Sequence, residues 1–217
     1  MLNEAAREQM IHQQVRAWDV LDERALEALG KVPRERFVPE GYRDLAFADA
    51  SIPLPHGERM LAPKIVGRIL QALQVEGDES VLEIGTGSGF LTACLALQAG
   101  SVRSLEIHPD LADAARTRLA SLGLGRAEVV AADAFAAGAL GNGSWDVIVL
   151  TGSLPLYDAR FEQRLAPGGR LFVAVGEAPV MDARLVRRGD GGCVAESLFE
   201  TVLPALHGAP RREPFRF

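Results

Sequence analysis

An α/β fold with a mostly parallel central sheet is what this 217-residue sequence predicts, on three observations. From residue 78 onward, short apolar runs alternate with helix-patterned stretches, the rhythm of strand–crossover–strand units. The first run, "VLEIGTGSGF" at 81–90, ends in three glycines at alternate positions, as a strand–turn–helix does where its backbone approaches a ligand. A chain this long can bury roughly 70% of its unfolded surface in one core, and 48% hydrophobic with 24% charged residues is an ordinary globular mix. The spacing predicts a single domain over 1–217. Its parts are a helical and irregular segment at 1–76, the alternating core at 77–176, and C-terminal strands with a tail at 177–217.

The elements follow in order. Met10, Ile11, Val15 and Trp18 lie at near-helical spacing within 3–18, and Asp22 is placed to cap a short second helix carrying Leu26 and Leu29. Pro33 ends it. The segment 33–63 is rich in Pro, Gly and aromatic residues without a sustained period; irregular stretches this long are usually functional. Pro63 opens a helix with Ile65, Val66, Ile69, Leu70 and Leu73 on one face. Then come a strand in "SVLEIG", a helix at 89–98, a strand in "VRSLEI", a helix at 109–122 opened by Pro109, and strands in "AEVVAAD" and "WDVIVL". A short helix at 158–165, a strand in "GGRLFVAVG" and two strands joined by a Gly-Asp-Gly-Gly turn complete the chain. Parallel strands joined this way place helices on both faces of the sheet.

Several classes are disfavoured. The apolar windows fall far short of the ~20 residues of a membrane span, and the polar N-terminus is unlike a signal peptide, so a cytoplasmic protein without a membrane partner is expected. A net charge of −6 argues against nucleic acid as a partner. Cys94 and Cys193 make no disulfide framework, and His12, His108 and His207 are scattered along the chain, so no metal is expected.

The glycine turn Gly85-Thr86-Gly87-Ser88-Gly89 lacks the lysine of a triphosphate-binding loop. A dinucleotide fingerprint would want its third glycine at Phe90, which leaves that ligand as second choice. S-adenosylmethionine fits better. Glu106 ends the next strand, where an acid can accept from both ribose hydroxyls, and Asp133 ends the third, where one can accept from the adenine amino group. Glu83 within the first strand adds negative charge near a sulfonium. Thr86, Ser88, Ile107, Ala132 and Thr151 complete the expected cofactor set in a Rossmann-like fold.

With these segments in view, the chain resembles the protein-L-isoaspartate O-methyltransferases over most of residues 10–176. The likeness is carried by "KVPRERFVPEGYRDLAFAD", "IPLPHG", "VLEIGTGSGF", "LEI" at 105–107 and "LAPGGRLFVAVG". The resemblance implies methylation of the carboxylate of isoaspartyl residues in damaged peptides and proteins, and hence their repair. Alignment of oxygen, methyl carbon and sulfur would supply most of the catalysis.

The departures lie on the substrate side. The family reads G-Q/T-T-I/V-S-x-P where this chain has Gly57-Glu58-Arg59-Met60-Leu61-Ala62-Pro63, so the serine beside the substrate carboxylate becomes Leu61. An alanine-rich loop becomes Thr151-Gly152-Ser153-Leu154-Pro155, and a glycine before Asp133 becomes Ala132. Two readings follow. Backbone amides with Ser153 or Arg59 replace the lost hydroxyl and weakened repair survives, or the pocket has drifted to another acceptor. A cofactor-binding protein without repair activity is a further alternative. His56, beside Gly57, is read as a loop-stabilising residue more than a catalytic one.

Overall fold

The structure, a computed structural model, describes residues 2–211. Helix α1 (Leu2–Met10) continues through a π turn at Ile11–Val15 and a 3-10 turn at Arg16–Trp18, and stops at Asp19, which is left-handed at φ 57°. Asp22 Oδ1 accepts the Ala25 amide at 2.8 Å and so caps α2 (Glu23–Lys31), which buries Ala25, Leu26, Ala28 and Leu29. The stretch 33–62 holds no α-helix. It runs through 3-10 turns at Arg34–Arg36, Glu40–Leu45 and Pro55–Gly57, and a two-residue hairpin, β1 (Ile52–Pro53) with β2 (Arg59–Met60). Pro63, whose missing N–H costs nothing in the first turn, opens α3 (Pro63–Leu73).

The alternating core then forms β3 (Ser80–Ile84), α4 (Phe90–Gln98), β4 (Ser101–Glu106), α5 (Pro109–Ser121), β5 (Ala127–Ala131), β6 (Trp145–Leu154) and β7 (Leu165–Glu177). A meander of β8 (Val180–Gly189) and β9 (Gly192–Thr201) ends the sheet. The seven strands lie in the order β5-β4-β3-β6-β7-β8-β9, with β3 to β7 parallel and the last two antiparallel. Chain order reverses at β3, which has β4 on one side and β6 on the other. Crossovers leaving in opposite directions open a crevice at the carboxyl ends of those strands.

The side chains of the parallel strands alternate between two apolar clusters. Val81, Val102, Val129, Val147, Val149 and Phe172 pack with the buried residues of α2, α3, α4 and α5. Leu82, Ile84, Leu105, Ile148, Leu150, Leu171 and Val173 form the other face, covered by Ala134, Leu140 and Phe161 from connecting segments. Among the described residues, α2 to α5 pack against the first of these faces, and the 3-10 turn at Glu162–Arg164 lies in the segments that cover the second. The helix expected at 158–165 is one 3-10 turn, Glu162–Arg164. Asp158 there accepts the Arg160 amide at 3.0 Å and pairs with the Arg160 guanidinium at 2.7 Å, which favours a turn over a helix, and Phe161 and Leu165 are the residues driven into the core. No helix among the described residues is long and apolar enough to cross a membrane. Of the C-terminal tail, residues 212–217 lie outside the described region.

Candidate cofactor crevice and active site

A crevice opens at the sheet's carboxyl edge, between the glycine turn, the strand ends and the substrate-side turn. Gly85, Thr86, Gly87, Ser88, Glu106, Ile107, Ala132, Asp133 and Thr151 line it, as do Arg59 and Leu61 from the substrate side. The glycine turn is held tightly. Gly85 is at φ +93°, and a Cβ there would stand 2.4 Å from Thr151 Oγ1, which bonds the Gly85 carbonyl at 2.6 Å and lies 3.0 Å from that of Ile84. Gly85→Ala therefore combines left-handed strain with a broken brace, together about 2–3 kcal/mol. A fall in melting temperature of roughly 4–12 °C by differential scanning fluorimetry is expected.

Glu106 is nearly buried. One oxygen accepts the Gly87 amide at 2.7 Å and the other the His108 amide at 3.0 Å. An ionised carboxylate has about four acceptor sites, so two remain, matching the two hydroxyls of a ribose. Asp133 is exposed at the crevice rim. Its Oδ1 accepts the Phe135 amide at 2.8 Å, while Oδ2 makes no bond among the described residues. The pairing of Glu106 with Ala131 sets both acids at adjacent strand ends.

Three expected site residues do not line the crevice, and each is corrected by packing. Glu83 is fully buried beneath the loop, where the hydroxyls of Thr92 and Ser104 donate to Oε2, and Ser104 also bonds the Thr86 hydroxyl. It supports the glycine turn from below instead of facing a sulfonium. Burial pushes its carboxyl up to about 7, with the two hydroxyl bonds acting in the opposite direction. An acid whose pKa rises on folding binds more protons folded than unfolded. Its contribution to stability is therefore complete below about 4.5 and is lost as pH rises through about 7. Urea melts across that window should show this loss, and Glu83→Gln, which cannot ionise, should flatten it.

Gly89 is the second. It starts α4 at φ +85°, where a Cβ would lie 3.2 Å from that of Ala115, so it serves helix packing. Ser153 is the third. Its hydroxyl donates to the Leu203 carbonyl at 3.2 Å in a fully buried position, and its amide and carbonyl bond Pro204 and Leu206 at 2.8 and 3.0 Å. It holds the C-terminal segment in place and offers nothing to a substrate. Arg59, by contrast, is exposed at the crevice, and its side chain makes no ion pair or hydrogen bond among the described residues.

Other site features carried little local signal. Arg34 is completely buried, stacks 4.8 Å over the Phe90 ring, and donates to the carbonyls of Ala46 at 2.9 Å and Leu61 at 2.8 Å, fixing the backbone of the divergent turn. Burial lowers its pKa to about 10, which leaves it charged. Pro204, Leu206 and His207 close the crevice from the C-terminal side. The histidines read as scattered do not stay apart: His108 and His207 meet Glu58 at the crevice mouth, and His56 stacks on His108 with ring centroids 4.1 Å apart. His56 also bonds both Asp110 oxygens at 2.9 Å, the loop-stabilising role expected of it.

A glycine turn and two strand-end acids on a parallel sheet that reverses at β3 define a Rossmann-like methyltransferase fold. Solved structures agree on that fold. A Plasmodium falciparum protein described as a candidate protein-L-isoaspartate O-methyltransferase, in complex with S-adenosyl-L-homocysteine, superposes with a TM-score of 0.79 at 17% identity, over 94% of this chain and 97% of that one. The chain belongs to the protein-L-isoaspartate(D-aspartate) O-methyltransferase family, whose sequence model matches residues 5–206. Protein-L-isoaspartate O-methyltransferase 1 of Rhodopseudomonas palustris is 43% identical over 183 residues, 84% of this chain and 74% of the relative. The enzyme of Koribacter versatilis is 36% identical over 210 residues, 97% of this chain and 94% of the relative.

Proposed function

We propose that the protein is an S-adenosylmethionine-dependent carboxyl methyltransferase whose acceptor is the isoaspartyl carboxylate of peptides. The observation that carries the cofactor half is the Glu106 carboxylate, fixed by two loop amides with acceptor capacity to spare beside a glycine-lined wall. The residues fit the group. Gly85 to Ser88 would allow close approach of the methionine end, Glu106 would hold the ribose, and Asp133 with Ile107 and Ala132 would border the adenine. When bound, the cofactor would supply an electrophilic methyl group for a carboxylate oxygen, with a neutral thioether as the leaving group. The protein needs no general base, because the acceptor is already ionised near neutral pH. Its work is to orient the carboxylate and exclude water. Arg59 pairs with the acceptor, and the Arg34–Leu61 bond holds the turn in register.

Supporting a peptide over nucleic acid is the net charge of −6. Replacing Arg59 with methionine should raise KM for an isoaspartyl peptide about tenfold, the value of one solvent-accessible charge-assisted bond, with little change in affinity for S-adenosylhomocysteine. The test of the function itself is transfer of labelled methyl to an isoaspartyl peptide and to its normal aspartyl twin. Labelling of the first alone is expected, and equal or absent labelling of both contradicts the reading. A second reading, a drifted acceptor, is favoured by one observation: Leu61 presents an apolar side chain to the crevice where the family has a hydroxyl.

A further inference from the structure

We infer that Glu58, His108 and His207 form a binding site for a zinc-class divalent cation at the mouth of the crevice. Their three ligand atoms all lie within 4.8 Å of one another. His207 Nε2 stands 2.8 Å and His108 Nε2 3.6 Å from the same oxygen, Glu58 Oε1. Donors around a tetrahedral zinc stand roughly 3.4 Å apart, so small side-chain adjustments bring the three into its coordination shell.

A second observation points the same way. His108 Nε2 is shielded from solvent and has no hydrogen-bond partner among the described residues, although it faces a carboxylate. A buried polar atom without a partner is costly, and a metal ion would satisfy it. The ring is also held in position, stacked against His56, which is itself bonded to Asp110. Two imidazoles and one carboxylate are the ligand set of open zinc sites, which keep a further position for water or a carboxylate. Calcium and magnesium prefer all-oxygen shells and are disfavoured.

The three ligands come from the β1–β2 turn, the turn following Glu106, and the C-terminal segment beyond β9. A bound ion therefore latches the C-terminal segment to the substrate-side turn, two residues from the ribose-binding acid. Glu58 stands where the family segment has glutamine or threonine, so the carboxylate ligand belongs to the same divergent stretch as Arg59 and Leu61.

The test is calorimetric titration of the full chain with zinc chloride, without cofactor, in a Cys193→Ser background that removes the exposed thiol. One zinc per chain is expected, and cobalt(II) should give the visible absorption of a tetrahedral nitrogen–oxygen site. His207→Ala, Glu58→Gln and His108→Asn should each weaken binding by at least about tenfold, while His12→Asn, remote in sequence and exposed, should not. Glu58→Gln and His207→Ala change side chains at the surface, and unchanged circular dichroism would verify their folding. Failure of the parent protein to bind one zinc saturably overturns the site, as does undiminished binding by folded Glu58→Gln and His207→Ala variants. Neither outcome depends on methyl transfer.

Discussion

Replacing Glu106 with alanine is expected to weaken binding of S-adenosylhomocysteine by roughly 10²–10⁴-fold. Two hydrogen bonds from ribose hydroxyls to a charged acceptor are lost, each worth about 1.5–3 kcal/mol where water is excluded. Glu106 is only 4% exposed, so screening does little to reduce that value. The same substitution releases the Gly87 and His108 amides, which allows the glycine turn to relax and adds to the loss. Isothermal titration calorimetry of both proteins checks it, with circular dichroism verifying that the variant is folded. A change below about threefold would mean that the acid is only a loop brace.

Restoring serine at Leu61 is expected to raise kcat/KM for an isoaspartyl peptide about 10- to 100-fold, the value of one hydrogen bond to a charged group acting in the transition state. The backbone at this position is already fixed by Arg34 Nη2 on the Leu61 carbonyl at 2.8 Å, so the new hydroxyl enters a turn whose position does not depend on the side chain. Leu61 is 8% exposed, and removing it should cost about 2–4 kcal/mol of stability. Steady-state kinetics with labelled cofactor separates the two effects. Gain of activity together with a lower melting temperature is the expected pair. Unchanged turnover in a folded Leu61→Ser protein would favour the drifted acceptor.

What the sequence made legible was whatever local periodicity and end signals encode. Pro63 and Pro109 mark the first turns of α3 and α5, Asp22 caps α2, and the glycine turn sits where β3 meets α4. The crevice half carried by successive strand ends followed from those signals, because parallel crossovers fix where such ends meet. What escaped was decided by contacts far apart in the chain. Ser153 reads as a loop hydroxyl, yet its backbone pairs with the segment at 204–206, and no local pattern announces that bridge. Glu83 reads as a charge near the ligand, yet alternation along β3 turns it under the loop into a hydroxyl network. Arg34 lies in the irregular 33–63 segment, where no period signals burial, and folding places it beneath Phe90. His108 and His207 are 99 positions apart in sequence and lie within reach of a single carboxylate only after the sheet forms.

The most direct test is titration of the purified, folded protein with S-adenosylhomocysteine. A saturable single site, abolished or greatly weakened by Glu106→Ala, is the predicted result. Absence of heat and of any saturation with the folded parent protein would contradict the assignment of the crevice to an adenosyl cofactor.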